Sequence, residues 1–88
     1  MHFRGKITLG ETVIARRVEG EMKKKLLADG KKVYRGHFTT MEQPVFDPDT
    51  IYRVVLEDGL RTKIKVLSLL SDVAGMRVYS FYATHSFE

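Results

Sequence analysis

The stretch IYRVVLEDGLRTKIKVLS, residues 51–68, decides the fold. Val, Ile, Tyr and Thr fill both arms and Asp58-Gly59 separates them, which is the composition of a β-hairpin. The side-chain pattern selects the turn. A two-residue loop opposes Glu57 to Leu60 and puts Tyr52, Val54 and Leu56 on the same face as Arg61, Lys63 and Lys65. A three-residue loop opposes Leu56 to Leu60 instead. One face then carries Tyr52, Val54, Leu56, Leu60, Thr62, Ile64 and Val66, and the other carries Arg53, Val55, Glu57, Arg61, Lys63 and Lys65. A one-residue slip turns every side chain to the other face, so the cleaner separation wins. The sequence predicts a type I turn over Leu56–Gly59, with Gly59 left-handed in a G1 bulge.

The same reasoning applies to EMKKKLLADGKKVYRGHF, residues 21–38, around Asp29-Gly30. Pairing Leu27 with Lys31 gathers Met22, Leu26, Tyr34 and Phe38 on one face, together with Lys24 and Lys32. The opposite face takes Lys23, Lys25, Lys31 and Arg35 with Leu27, Val33 and His37. A helix competes here. Ile14, Val18, Met22 and Leu26 fall four apart, Thr8 and Glu11 fit a capping box, and Gly30 fits a C′ position. Against the helix stand a mid-helix Gly20, at a cost of about 1 kcal/mol, and the β-branched Thr12, Val13, Ile14 and Val18.

Elsewhere the turn signals recur at strand spacing: Gly10, Gly20 and Gly30, then Pro44, Pro48, Gly59 and Gly75. Residues 2–9 read as a first strand. Residues 76–84, MRVYSFYAT, read as a last strand apolar on both faces. Residues 68–75 read as a turn or a single helical turn. Residues 41–50, MEQPVFDPDT, form an irregular acidic loop, and residues 85–88 a frayed C-terminus. The fold expected is all-β: a single domain over 1–88, an antiparallel barrel or sandwich of about six or seven short strands. The alternative is α+β with one helix within 11–29.

The chain has 88 residues, 43% of them hydrophobic, which suits one modest core and excludes a disordered chain. It contains no Cys and no Trp, which removes disulfides and thiolate metal sites. No run reaches the roughly 18–20 apolar residues of a membrane helix, and MHFRGKITLG lacks the apolar core of a secretory signal. A cytoplasmic protein with no membrane association is the expectation. Lys+Arg 15 against Asp+Glu 11 gives a formal +4. That total hides a layout of +6 over residues 1–40, −4 over 41–59 and +2 over 60–88.

Motifs for chemistry are absent. His2, His37 and His85 lack ligand spacing. Asp47-Pro48-Asp49 reads as turn chemistry rather than a cation loop. No G-x-S-x-G, P-loop or G-x-G-x-x-G occurs. A non-enzyme without cofactor, metal or evident small-molecule substrate is expected. Two candidate surfaces remain. The first is basic: Lys23, Lys25, Lys31 and Arg35 share one face of the first hairpin, and Arg61, Lys63 and Lys65 share one face of the second. Such rows suit phosphate backbones, with Tyr79 and Phe81 available for stacking; their bland reading is a solvated face that keeps sheets soluble, and core aromatics. The second is Val45-Phe46 between two prolines, an apolar tip for a protein partner or, in the bland reading, a plug for the barrel end. The function expected is a non-catalytic β-module for protein–protein interaction or assembly, through this loop or through free sheet edges. Nucleic-acid binding through the Lys/Arg faces is the alternative.

Overall fold

The computed structural model describes all 88 residues. Six antiparallel strands form one closed ring: β1 (His2–Leu9), β2 (Thr12–Leu26), β3 (Lys32–Thr40), β4 (Tyr52–Leu56), β5 (Arg61–Val73) and β6 (Met76–Ala83). Around the barrel the order is β1-β2-β3-β6-β5-β4, with β4 returning to β1. There is no helix, and so none long and apolar enough to cross a membrane.

The deciding hairpin has the expected register. Tyr52 opposes Ile64, Arg53 opposes Lys63 and Val54 opposes Thr62. The Gly59 N–H donates to the Leu56 carbonyl at 3.0 Å, the Leu56 N–H donates to the Leu60 carbonyl at 2.7 Å, and Gly59 sits at φ +92°. Tyr52, Val54, Thr62, Ile64 and Val66 are buried, while Arg53, Arg61, Lys63 and Lys65 are exposed. The β2–β3 hairpin repeats this geometry, with the Leu27 N–H bonded to the Lys31 carbonyl at 2.8 Å.

The all-β expectation holds and its helical alternative is overturned: Thr12–Leu26 forms strand β2, which passes straight through Gly20. Other details differ from expectation. Gly20 is not a turn: a Cβ there would collide with the His37 carbonyl and lie 2.9 Å from the Phe38 Cα, so glycine is what lets β3 cross this closely. Of residues 68–75 only Ala74-Gly75 turns, because β5 continues to Val73 before it reverses, and no helical turn forms. The ladder there opposes Val66 to Phe81 and Ser68 to Ser80, then Leu69 to Tyr79 and Ser71 to Val78. Leu67 and Leu70 are therefore extra residues in two β-bulges, and bulges break the alternation a strand reading relies on. The C-terminus does not fray. The N–H of Glu88 donates to the Arg61 carbonyl at 3.0 Å, Thr62 Oγ1 donates to the His85 carbonyl at 2.7 Å, and Phe87 joins the core.

The core is an aromatic column along the barrel. Phe46 meets Phe38 at 5.6 Å between ring centroids, Phe38 meets Phe81 at 6.0 Å, Phe81 meets Phe3 at 5.8 Å, and Phe3 meets Phe87 at 5.3 Å. Phe46 and Phe87 close the two ends. A six-stranded barrel is narrow enough for side chains to fill it, so any ligand or partner is met on the outside.

Candidate interaction surfaces

The barrel order brings the two basic faces to either side of β6. Lys23 on β2 opposes Arg35 on β3, Arg35 opposes Tyr82 on β6, and Tyr82 opposes Lys65 on β5. These four residues form one outward row across four strands, roughly 14 Å wide at about 4.8 Å per strand spacing. Lys25 and Lys63 lie two residues further towards the same end, Arg61 beyond Lys63, and Lys31 in the β2–β3 turn. All seven expected cations are exposed, and none has a carboxylate within salt-bridge distance. The ion pairs lie elsewhere, at the Met1 amino group, His2, Arg4 and Arg77.

The expected stacking platform is not there. Tyr79 and Phe81 share a face with Arg77, but it is the inner face, and both are buried. The outward aromatic in the basic row is Tyr82, half-buried between Arg35 and Lys65. Strand parity alone separates Tyr82 from Tyr79 and Phe81. The inner set of β6 becomes legible only once its partners β3 and β5 are known.

The 41–50 loop splits its two candidate residues. Phe46 turns inward, edge-on to Tyr52 at 5.2 Å and to Tyr79 at 4.8 Å. Two tyrosine hydroxyls clamp the backbone on either side: Tyr79 donates to the Pro44 carbonyl at 3.3 Å, and the Asp47 N–H donates to Tyr52 at 2.8 Å. Arg77 reaches the Tyr79 hydroxyl and pairs with Asp72 at 3.2 Å; these contacts, the tyrosine bond first, push its pKa further up and keep it charged. Phe46 is thus packed as a plug in the barrel end. Val45 stays 91% exposed.

A third surface carries no signal in the sequence pattern. β4 pairs with β5 only as far as Ile64, so Leu67–Val73 has a ladder on the β6 side alone. This arm exposes Leu67, Leu69, Leu70, Val73 and Met76. A shallow notch of about 220 Å³ lies beside it, lined by Phe46, Pro48, Val66, Leu67, Ser68, Leu69 and Tyr79. β2 also has one-sided stretches, paired with β1 alone over Thr12–Val18 and with β3 alone over Met22–Leu26, but the β5–β6 arm is the one that gathers five exposed apolar side chains.

On the β4-β1-β2 side lies an open groove of about 1090 Å³ bordered by Arg4, Lys6, Arg16, Arg17, Glu42 and Glu57. Glu19, on its rim, is held below the usual carboxylate range, chiefly by its hydrogen bond from Arg4 and that residue's charge, with a smaller contribution from His2. Comparison with protein-family models, curated proteins and solved structures finds no match to this chain.

Proposed function

We propose that the protein is a non-catalytic association module that works through the β5–β6 arm. One observation carries this reading: a strand edge without a ladder partner coincides with five exposed apolar side chains. Surface cations have a bland explanation in solubility. An apolar edge strand has none, because left open it templates pairing with another chain. The two bulges at Leu67 and Leu70 limit indiscriminate pairing and aim both leucines outward. The partner is a second extended strand, supplied most simply by another copy of the arm, with the notch by Phe46 and Pro48 receiving an apolar side chain.

Sedimentation over a wide concentration range, with hydrogen exchange of the arm, tests this. Concentration-dependent association with protected amides in 67–73 is expected, and Leu70→Asp with Val73→Asp should abolish both. A monomer at every concentration with fast exchange in 67–73 overturns self-assembly as the mode.

The continuous basic row supports a second reading, contact with a polyanion such as a nucleic-acid backbone. Affinity for a short oligonucleotide should fall steeply with salt. Lys23→Ala and Lys65→Ala should each reduce that slope by about one phosphate contact.

A further inference from the structure

The β1–β2 ladder slips twice, between Ile7 and Thr8 and between Gly5 and Ile7. Gly5 opposes Val18 and Ile7 opposes Ala15, so Arg16 and Arg17 of β2 share a stretch with Lys6 alone. A bulge of this kind turns backbone donors out of the ladder. Both Arg16 and Arg17 direct their N–H groups at a single atom, Glu42 Oε2, at 2.6 and 3.1 Å. Successive backbone N–H groups converging on one oxygen make an anion-binding concavity. Here the anion is the chain's own carboxylate.

The surroundings are mixed in charge but net basic. The concavity opens into the groove bordered by Arg4, Lys6, Arg16 and Arg17 and by Glu19, Glu42 and Glu57. The side chains of Lys6, Arg16 and Arg17 are exposed and have no carboxylate within salt-bridge distance. Arg4 is occupied by Glu19 at 3.1 Å. A single carboxylate oxygen thus takes both amides while three cations stand free beside it. Tethering Glu42 only to close a bulge needs neither those cations nor a groove of this size.

We infer that the groove is a binding site for a small phosphate-bearing anion, with Glu42 as its internal placeholder. The ligand's phosphate takes the Arg16 and Arg17 amides, and Lys6, Arg16 and Arg17 neutralise its charge. Glu42 swings out on binding, which loosens the start of the 41–50 loop at the end of β3. This site shares no residue with the Lys23–Lys65 row and does not depend on association through the arm.

Amide NMR titration with inorganic phosphate, and separately with a nucleoside monophosphate, tests the inference. Shifts centred on Arg16 and Arg17 are expected in the wild-type protein. Glu42→Gln keeps the shape and removes the competing charge. Exchanging a charged acceptor for a neutral one should tighten phosphate binding about tenfold. Glu42→Ala should do at least as much, and Lys6→Ala should weaken it. Tighter binding of the monophosphate than of phosphate assigns the rest of the groove to the organic part, and equal binding assigns the site to phosphate alone. If Glu42→Gln and Glu42→Ala both stay folded by far-UV circular dichroism and neither shifts the Arg16 and Arg17 amides with either probe, the inference fails.

Discussion

Ala74 is the one non-glycine residue with positive φ, at 54°, and it shares the β5–β6 turn with Gly75 at φ +80°. Val73 opposes Met76, so these two residues form a two-residue loop, and two positive φ values there define a type I′ turn. A Cβ in the left-handed region costs roughly 1–2 kcal/mol, and Asn tolerates it better than Ala. Ala74→Asn should therefore stabilise the protein by about 0.5–1 kcal/mol, read as a thermal midpoint several degrees higher. An unchanged midpoint would mean that the turn carries no strain. The same residue explains why the extent of this hairpin is hard to read in the sequence. Asp58-Gly59 and Asp29-Gly30 place their turns to the residue, whereas Gly75 marks a turn that Ala74 does not help to place, and SLLSDVAG reads as one break although β5 runs to Val73.

At the scale of elements, the periodicity that suggested a helix did not discriminate. Residues four apart share a helix face, and they share a strand face too, because four is two strand periods. In β2 the stripe does not keep to one face, because the bulges put Ala15 in the core beside Val18 and Met22 while Leu26 stays exposed; the β-branched run and the pairing partners mark the segment as strand. The hairpin at 51–68 was legible for the opposite reason: one register separated apolar from charged residues and the other mixed them. The ends of the barrel were not legible, because a plug is a contact between distant segments. Phe46 and Phe87 each cap the aromatic column, but they are held differently. Phe87 is almost fully buried and lies on a segment tied to β5 by backbone bonds, whereas Phe46 is half-buried and clamped by two tyrosine hydroxyls. Phe87→Ala should cost about 3 kcal/mol, near the low end for buried phenylalanines, and Phe46→Ala about 2 kcal/mol. Denaturant unfolding with unchanged slope would read both. A Phe46→Ala variant as stable as wild type would show that the loop does not seal the barrel.

At the scale of the whole molecule, ring order decides what the charges do. The sequence pairs strands into hairpins and assigns each hairpin a basic face, but it cannot say that β6 lies between β3 and β5. That insertion puts Arg35 and Lys65 on either side of Tyr82 and makes two basic faces into one field. Like charges also stand directly opposite within it, Lys23 against Arg35 and Arg53 against Lys63, with no carboxylate in salt-bridge distance of the row. Each such exposed pair costs a few tenths of a kcal/mol. The row is roughly 14 Å wide, which lies between the screening length of about 30 Å at 0.01 M salt and about 8 Å at 0.15 M. Repulsion across it acts in full at the lower concentration and is largely removed at the higher. The protein should therefore become more stable as sodium chloride rises through this range, by about 1 kcal/mol, or roughly 4–8 °C in the thermal midpoint of a domain this size. Lys63→Glu turns the contact with Arg53 into an attraction and should raise the low-salt midpoint while flattening the salt dependence. A wild-type midpoint that falls with salt would mean that the Arg4–Glu19 and Arg77–Asp72 pairs outweigh the row, and the field across β2, β3, β6 and β5 would then be too weak to hold a polyanion.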